Sequence, residues 1–360
     1  MGYNIAVIPG DGIGPEIMVQ TLKVLEKIGK VYGHDFKFKE CCGGGVAIDK
    51  YGEPLPEASF NICKDSDAIL LGNIGGYKWK DLEVEKRPER VLFRLRGELN
   101  FCVNIRPIFI KDSLKNFSPL KDEIVEKGID ITVIRDITGG VLSSEKHTGE
   151  GEFGREAYDM EYYNEKIVSE TAKWAFETAR RRNKKVTSLD KANALVSSVL
   201  WRTVMKEVAK DYPDVELEHM YIDGCAMDVV KNPSNYDVIV APNIFGDVIS
   251  DEISGITGTV EILPAATIDM NGKGMFEPNQ LHNTHYEIIG KNIANPIGLI
   301  LSAALMLRYS FGLETEAKAI EKSVATAISS GYATKDIYHE GKKLVGTCEM
   351  GSIIADFIEL

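Results

Sequence analysis

The chain has 360 residues, 44% of them apolar and 27% charged, which is long enough for two domains with large buried cores. Asp and Glu outnumber Lys and Arg by 54 to 42, and the net charge of −12 argues against nucleic acid or an anionic membrane as a partner. With scattered cysteines, no span long enough for a bilayer and no signal peptide pattern, we expect a cytoplasmic protein with reduced thiols.

The first half of the chain alternates predicted strands with predicted helices. A buried strand over 3–9 leads through a glycine turn at 10–14 into a helix that ends at Gly33. This turn is not the dinucleotide fingerprint, because its spacing is G-x-G-x-G and no acidic residue follows a second strand at the expected distance. Further along we expect strands over 68–71, 101–110 and 129–137 and a helix over 87–99.

The second half continues the alternation, which is typical of an α/β fold with a largely parallel sheet. Composition shows no linker or repeat, so it predicts no domain boundary. After a strand over 261–268, residues 269–292 are expected to form an irregular loop. The other predicted elements are strands over 185–190, 215–222 and 236–241 and helices over 164–182, 194–210, 295–311 and 314–330.

Two acidic residues, Asp247 and Asp251, stand at i and i+4 of a helix predicted over 247–255. At that spacing both carboxylates lie on one face, about 5–6 Å apart at Cβ. In water, acidic residues in a first helical turn simply complement the helix dipole. In a partly desolvated cleft, a repulsion of roughly 3 kcal/mol would call for a cation, and paired carboxylates suit Mg²⁺ or Mn²⁺. The spacing alone leaves both interpretations open.

Three arginines stand out: Arg96 lies on the helix predicted over 87–99, and Arg106 and Arg135 each end a strand. A forked guanidinium can bind a carboxylate through two parallel hydrogen bonds. A surface ion pair is the commoner role for any single arginine.

Lys191 and Asp223 each follow a strand, in Asp190-Lys191-Ala192-Asn193 and Met220-Tyr221-Ile222-Asp223. A lysine at the carboxyl end of a parallel strand can be desolvated enough to act as a general base, although a surface or capping role is the commoner one for a single lysine. Asp223 is either a further metal ligand or the N-cap of the helix after it.

Taken together, these stretches resemble one family, the β-decarboxylating dehydrogenases that include isocitrate and 3-isopropylmalate dehydrogenases, and most closely the isopropylmalate branch. The resemblance runs in order from residue 3 to about 312. Its motifs are the 5–17 turn, Arg87-Pro88-Glu89, Leu95-Arg96, Asn104-Ile105-Arg106-Pro107, the 135–140 turn, the 189–193 turn, 220–223, 243–251, Phe276-Glu277-Pro278 and 293–296.

The resemblance implies a two-domain isopropylmalate-dehydrogenase-like fold around a largely parallel, mixed sheet. Residues 1–101 and 258–360 would form the first, cofactor-binding domain, and residues 102–257 the second, with metal ligands and a dimer interface. It also implies a homodimer in which Lys191 and Asp223 act in the partner's site.

The resemblance further implies residue roles and cofactors, namely NAD and Mg²⁺ or Mn²⁺. Lys191 and Asp223 would be catalytic, and the metal would be held by Asp223, Asp247 and Asp251. The substrate would lie against Arg96, Arg106, Arg135, Leu92, Phe93 and Glu89. The cofactor would lie against Ile13, Asn193, His282, Glu287, Ile288 and Asn295. The implied reaction is NAD-dependent oxidation and decarboxylation of 3-isopropylmalate in leucine biosynthesis.

Two departures from the family pattern affect these roles. The family's adenosine loop, His-Gly-Ser-Ala-Pro-Asp, reads His282-Asn283-Thr284-His285-Tyr286-Glu287 here, and two extra residues follow Pro278. The family's Thr-Gly-Gly-Ile-Tyr supplies a tyrosine that returns a proton after decarboxylation, and Leu142 occupies that position here. Groups in Ser143-Ser144-Glu145-Lys146-His147 could substitute.

Two other functions remain open at this point. A related dehydrogenase would act on another 3-substituted malate, D-malate, tartrate or isocitrate. A retired subunit would regulate a catalytic partner, although such a copy has no reason to keep Lys191, three aspartates and three arginines.

Overall fold

A computed structural model describes residues 2–281 and 286–359. The chain forms two compact units, the first of Met1–Asn100, Lys111–Phe117 and Thr259–Leu360 and the second of Phe101–Ile110 and Ser118–Gly258. Lys111–Phe117, expected in the second domain, belongs to the first unit because of its packing, where the Phe117 ring lies 6.0 Å from that of His339. In the described part, no helix is long and apolar enough to cross a bilayer. All six cysteines are free thiols.

The first unit begins with a strand, the glycine turn and a long helix, as expected. Its N-terminal elements are β1 (Gly2–Ile8), α1 (Gly14–Tyr32), β2 (Asp35–Glu40), α2 (Gly45–Tyr51), α3 (Glu57–Asp65), β3 (Ala68–Leu71) and α4 (Arg90–Glu98). Gly33 ends α1 in the left-handed conformation, which glycine adopts without strain.

The second unit contains the next five sheet strands and a separate two-stranded ribbon. Its elements are β4 (Val103–Phe109), α5 (Asp122–Val125), β5 (Asp130–Asp136), β6 (Lys146–Gly151), β7 (Gly154–Asp159), α6 (Glu165–Arg180), β8 (Lys185–Asp190), α7 (Val196–Val208), β9 (Glu216–Tyr221), α8 (Ile222–Val229), β10 (Val238–Ala241) and α9 (Asn243–Thr257). Its sheet order is β4-β5-β10-β8-β9, antiparallel at β4–β5 and parallel at the other pairs.

The rest of the chain completes the first unit. Its elements are β11 (Pro264–Ile268), β12 (Gly274–Pro278), α10 (Ile297–Tyr309), α11 (Glu314–Ser329), β13 (Tyr332–Ala333), β14 (Lys343–Leu344) and α12 (Thr347–Asp356). The strand order of its sheet is β2-β1-β3-β12-β11. Within this order β11 and β12 pair antiparallel, and the other three pairs are parallel. The α/β class and a mixed, mostly parallel sheet are therefore confirmed.

Three details differ from the sequence-based expectations. The 269–292 loop contains β12, which pairs with β11 from Pro264↔Pro278 to Ile268↔Gly274. The strand expected over 261–268 is shorter, because Val260–Ile262 form a 3₁₀ turn before it. α9 begins at Asn243 rather than Asp247, directly after β10.

Candidate active site

The second unit brings Asp247 and Asp251 together with two of the predicted arginines. Arg106 donates from Nη1 to Oδ1 of Asp251 at 2.8 Å, and its Nη2 lies 3.5 Å from Oδ1 of Asp247. The Nη1 of Arg135 donates to the same Asp247 oxygen. Both guanidinium groups are largely buried, at 12% and 8% exposure, whereas the carboxylates are 41% and 71% exposed. The site thus pairs buried cations with accessible carboxylates.

Strand pairing explains why these groups meet. In the antiparallel β4–β5 register, Asn104 faces Arg135, and in the parallel β5–β10 register Arg135 faces Ala241, the last residue before the turn into α9. Asn104 and Arg106 lie two residues apart on one face of β4, and Arg106 donates from Nε to Asn104 Oδ1 at 2.7 Å. A Cβ at Gly246 would lie 2.8 Å from Cγ of Arg135, so glycine lets α9 approach the arginine.

Lys191 and Asp223 form a second pair in the same unit. The Lys191 Nζ donates to Asp223 Oδ1 at 2.5 Å, and this hydrogen bond holds the pKa of the Asp223 carboxyl below its usual range. Asp223 lies in the first turn of α8 and Lys191 directly after β8. The carboxylate is therefore ionised and already neutralised by a cation.

The lysine is held by an ion pair behind it that the sequence reasoning missed. Asp190, with a side chain 0% exposed, accepts from Nε and Nη2 of Arg202, each at 2.8 Å. Asp190 also accepts the backbone N–H of Ala192 at 2.9 Å, which shapes the turn after β8. A bidentate Arg–carboxylate pair fixes the orientation of the carboxylate as well as its distance from the guanidinium. The Arg202–Asp190 pair therefore holds in place the backbone from which the Lys191 side chain extends.

The remaining predicted substrate residues lie on or next to α4 in the first unit. Leu92 is buried, whereas Phe93 is 52% exposed with the Arg90 guanidinium 5.3 Å from its ring. Glu89 directly precedes the helix.

Arg96, on the same helix, has an acidic partner that the sequence reasoning missed. It donates from Nη2 to Oε1 of Glu277 at 3.4 Å. Glu277 is 3% exposed, and its Oε1 also accepts from Thr267 at 3.2 Å. The sequence signal that could have pointed to Glu277 is its place in the Phe276-Glu277-Pro278 stretch, one of the motifs that carry the family resemblance.

The glycine turn of the first unit is organised by Asp11. Its buried carboxylate accepts the backbone N–H groups of Gly45, Val46 and Gly75, each at 2.8 Å. Burial raises the pKa of this carboxyl, and those hydrogen bonds oppose the shift. Ile13, a predicted cofactor contact, lies in this turn just before α1.

The other predicted cofactor residues are dispersed along the chain. Asn295 accepts the Ile297 N–H at 3.0 Å and donates to Asp336 Oδ2 at 2.9 Å. Glu287 and Ile288 lie in a 3₁₀ turn, Tyr286–Ile288, where Glu287 is exposed. Asn193 is exposed in the turn between β8 and α7, and His282 lies outside the described residues.

Leu142 lies in the turn after β5 and is 39% exposed. Of the neighbouring groups that could replace the tyrosine, Ser143 Oγ donates to the Ile137 carbonyl at 3.0 Å. Lys146 Nζ donates to the Val141 carbonyl at 2.6 Å and to Asp159 Oδ1 at 2.7 Å. Lys146 is therefore attached to the same turn as Leu142.

The chemistry of Asp247 and Asp251 fits a hard divalent cation, which prefers carboxylate oxygens. Across the described ranges, however, no group of three or more His, Cys, Asp or Glu side chains could hold a metal. Asp223 therefore does not complete the pair within one chain.

Comparison with known proteins decides the family. Residues 4–354 match the family model described as isocitrate/isopropylmalate dehydrogenase. The chain belongs to this family. It is therefore an enzyme, a decarboxylating dehydrogenase.

Relatives of this chain include the 3-isopropylmalate dehydrogenase of Clostridium acetobutylicum. The two are 50% identical over 352 residues, which cover 98% of each chain. That of Aquifex aeolicus is 49% identical over 99% of this chain and 97% of its own. Among solved structures, isocitrate dehydrogenase from Methylococcus capsulatus matches with a TM-score of 0.85 at 29% identity, covering 99% of this chain and 100% of that one. A β-decarboxylating dehydrogenase from Thermococcus kodakarensis matches with a TM-score of 0.79 at 29% identity, covering 99% and 96%.

Proposed function

We propose that the enzyme oxidises and decarboxylates (2R,3S)-3-isopropylmalate to 4-methyl-2-oxopentanoate with reduction of NAD, as a step of leucine biosynthesis. The observation that carries the proposal is the placement of two buried guanidinium groups against two carboxylates of one helix face. A substrate with a 2-hydroxyl and two carboxylates needs guanidinium groups to bind its carboxylates. It also needs protein carboxylates to hold the metal that acts on its 2-hydroxyl. Relatives about 50% identical over 98% of the chain that carry the name 3-isopropylmalate dehydrogenase support the choice of substrate.

The arginines bind and orient the substrate. The side chains of Arg106 and Arg135 are largely shielded from water, so a hydrogen bond from either to a carboxylate is stronger than one in water. Arg96 is proposed as a further ligand of a substrate carboxylate. Fixed carboxylates place C2 and its hydroxyl in one position, which lowers the entropic part of the barrier.

Asp247 and Asp251 would hold Mg²⁺ or Mn²⁺, together with Asp223 of a second subunit. When bound, the cation lowers the pKa of the substrate's 2-hydroxyl.

Lys191 is the proposed general base. In its neutral form, its Nζ would take the proton of the 2-hydroxyl, and Asp223, 2.5 Å away in this structure, would stabilise the resulting ammonium. NAD, when bound, accepts the hydride from C2. Ile13, Asn193, His282, Glu287, Ile288 and Asn295 are the proposed cofactor contacts.

We propose that the protein is a homodimer and that an apolar surface of the second unit forms its interface. Large apolar side chains on α7, α8 and α9 are exposed, namely Val196 at 89%, Met227 at 65% and Val248 at 63%. Of these helices, α8 and α9 contact each other, and exposed apolar side chains on contacting helices are typical of an interface. A second copy covering it would bring in Lys191 from the end of β8 and Asp223 from α8.

The proposal is tested by NAD reduction with Mg²⁺ over a panel of 3-isopropylmalate, 3-methylmalate, D-malate, tartrate and isocitrate. We expect the highest kcat/KM for 3-isopropylmalate. An Asp247→Asn variant purified in parallel controls for contaminating host enzyme and should be inactive. A preference for another substrate would reassign the specificity, and no turnover of any by folded protein would favour a retired regulatory subunit.

A further inference from the structure

A buried hydrogen-bonded chain starts at Arg135. Its Nε and Nη2 both donate to the Oδ1 of Asn243, at 3.2 and 2.9 Å, while its Nη1 donates to Asp247. Asn243 is the first residue of α9 and is 2% exposed. One edge of the guanidinium is thus held by a neutral amide.

Asn243 is itself held by three further bonds. Its Nδ2 donates to the Gly139 carbonyl at 2.9 Å and to Ser143 Oγ at 3.2 Å. Its backbone N–H, which has no partner inside the helix at this first position, donates to the Tyr163 hydroxyl at 2.8 Å. The amide therefore connects the start of α9 to the 138–143 turn.

The chain ends on a buried carboxylate. The Tyr163 hydroxyl donates to Asp136 Oδ2 at 3.2 Å, and Asp136 accepts from the backbone N–H groups of Thr138 and Gly139 at 3.0 and 2.9 Å. Burial raises the pKa of the Tyr163 hydroxyl, which stays protonated and available as a donor. A Cβ at Gly139 would lie 2.6 Å from the Tyr163 ring, so the ring packs directly on the turn.

Neutrality at Asn243 matters for anion binding. An aspartate at this position would orient Arg135 equally well but would neutralise its charge. A carboxamide orients the guanidinium through two bonds without adding a second negative charge to the one that Asp247 already places beside it. Loss of the amide would leave two buried donors of Arg135 without this acceptor and free the long side chain to change rotamer.

We infer that Asn243 and Tyr163 are positioning residues that set the direction of Arg135 for the substrate carboxylate and tie it to the turn carrying Leu142. The inference rests on the proposed function in taking Arg135 as a substrate ligand. It goes beyond that function in assigning specificity for the anion to groups that do not touch it.

A kinetic comparison tests the inference. Asn243→Ala should raise KM for 3-isopropylmalate by about tenfold or more, and Tyr163→Phe should raise it by about threefold, with KM for NAD within about twofold. In an Arg135→Ala background, Asn243→Ala should change KM by less than about twofold. Tyr236→Phe is the matched control, because its hydroxyl also donates to an aspartate, Asp228, at 2.8 Å in the same unit. It should leave KM unchanged.

A second readout does not depend on turnover. The ¹⁵N-detected Nε–H of Arg135, assigned by its loss in Arg135→Lys, should be protected from solvent exchange in the native protein and about tenfold less protected in Asn243→Ala. If native protein turns over no substrate but this change occurs, the positioning stands and the proposed function fails. Unchanged exchange, or an Asn243→Ala effect that persists without Arg135, overturns the inference.

Discussion

The Nζ of Lys191 lies 2.5 Å from Oδ1 of Asp223, in the same unit as the Asp247 and Asp251 helix. No third ligand joins that helix pair within the described part of one chain. We propose that the lysine and its aspartate act as a preformed pair in another subunit's site. Because Lys191 lowers the pKa of Asp223, a metal cation that replaces Lys191 at this carboxylate would find it already ionised.

The proposed division of metal ligands between two subunits predicts complementation between inactive variants. Asp223→Asn and Asp247→Asn should each be inactive, and mixing them one to one under subunit exchange should restore about a quarter of the native activity. Half of the dimers would be mixed, and each of those would have one intact site. Activity is measured as NADH formation after exchange has been verified by mass spectrometry.

The matched control for complementation is a mixture of Asp247→Asn with Asp251→Asn. Both substitutions affect ligands from the same chain, so no arrangement of these subunits regains an intact site and activity should stay absent. Recovery in this control, or none in the first mixture, would show that the ligands are not divided between subunits as proposed.

The acidic side chain of Glu287 predicts the cofactor. A carboxylate next to the adenosine ribose accepts hydrogen bonds from its hydroxyls and repels a 2′-phosphate, so NAD should be preferred over NADP. Glu287→Gln should reduce the preference by raising kcat/KM for NADP, with kcat for NAD little changed. Equal kcat/KM for the two cofactors in the native enzyme would remove Glu287 from this role.

The exposed ring of Phe93 predicts a preference for alkylmalates over isocitrate. A third carboxylate placed against an apolar surface loses its hydration without gaining a partner. Phe93→Leu should enlarge the space and raise kcat/KM for 3-isopropylmalate relative to 3-methylmalate by about tenfold. Faster turnover of isocitrate that disappears in Arg90→Ala would show instead that the guanidinium 5.3 Å from this ring binds the extra carboxylate.

Local spacing predicted the parts of the site that lie within one element. The i, i+4 spacing places Asp247 and Asp251 on one face of α9. The meeting of Arg106 and Arg135 depends on the β4–β5 and β5–β10 registers, which are long-range and leave no trace in local periodicity. The roles proposed for Asn243, Tyr163 and Arg202 were missed for the same reason, because each depends on partners distant in sequence.

Two elements were missed because they are short and show no alternation of apolar and polar residues. β12 follows a turn of Asp269, Asn271 and Gly272 and becomes a strand through pairing with β11. The exposed ribbon of β6 and β7 contains glycines and charges without apolar alternation. Tertiary pairing rather than local preference forms both.

Leu142 predicts a slow late step. Protonation of C3 after loss of the β-carboxylate calls for an acid, and general-acid assistance is typically worth about 10²–10⁴-fold. Leu142→Tyr should speed release of the decarboxylated product where that step limits kcat, and the solvent-deuterium effect on kcat should shrink. Lys146→Met tests the neighbouring amine, whose Nζ is 2.6 Å from the Val141 carbonyl. If neither substitution changes kcat, another group or an ordered water delivers the proton.

The central claim is that one enzyme both oxidises and decarboxylates 3-isopropylmalate despite Leu142. The most direct measurement is simultaneous quantification of NADH, CO₂ and the keto acid from (2R,3S)-3-isopropylmalate with Mg²⁺. The account predicts one CO₂ and one 4-methyl-2-oxopentanoate for each NADH. A 2-oxo acid that accumulates with its β-carboxylate intact, with NADH formed but no CO₂, would contradict it.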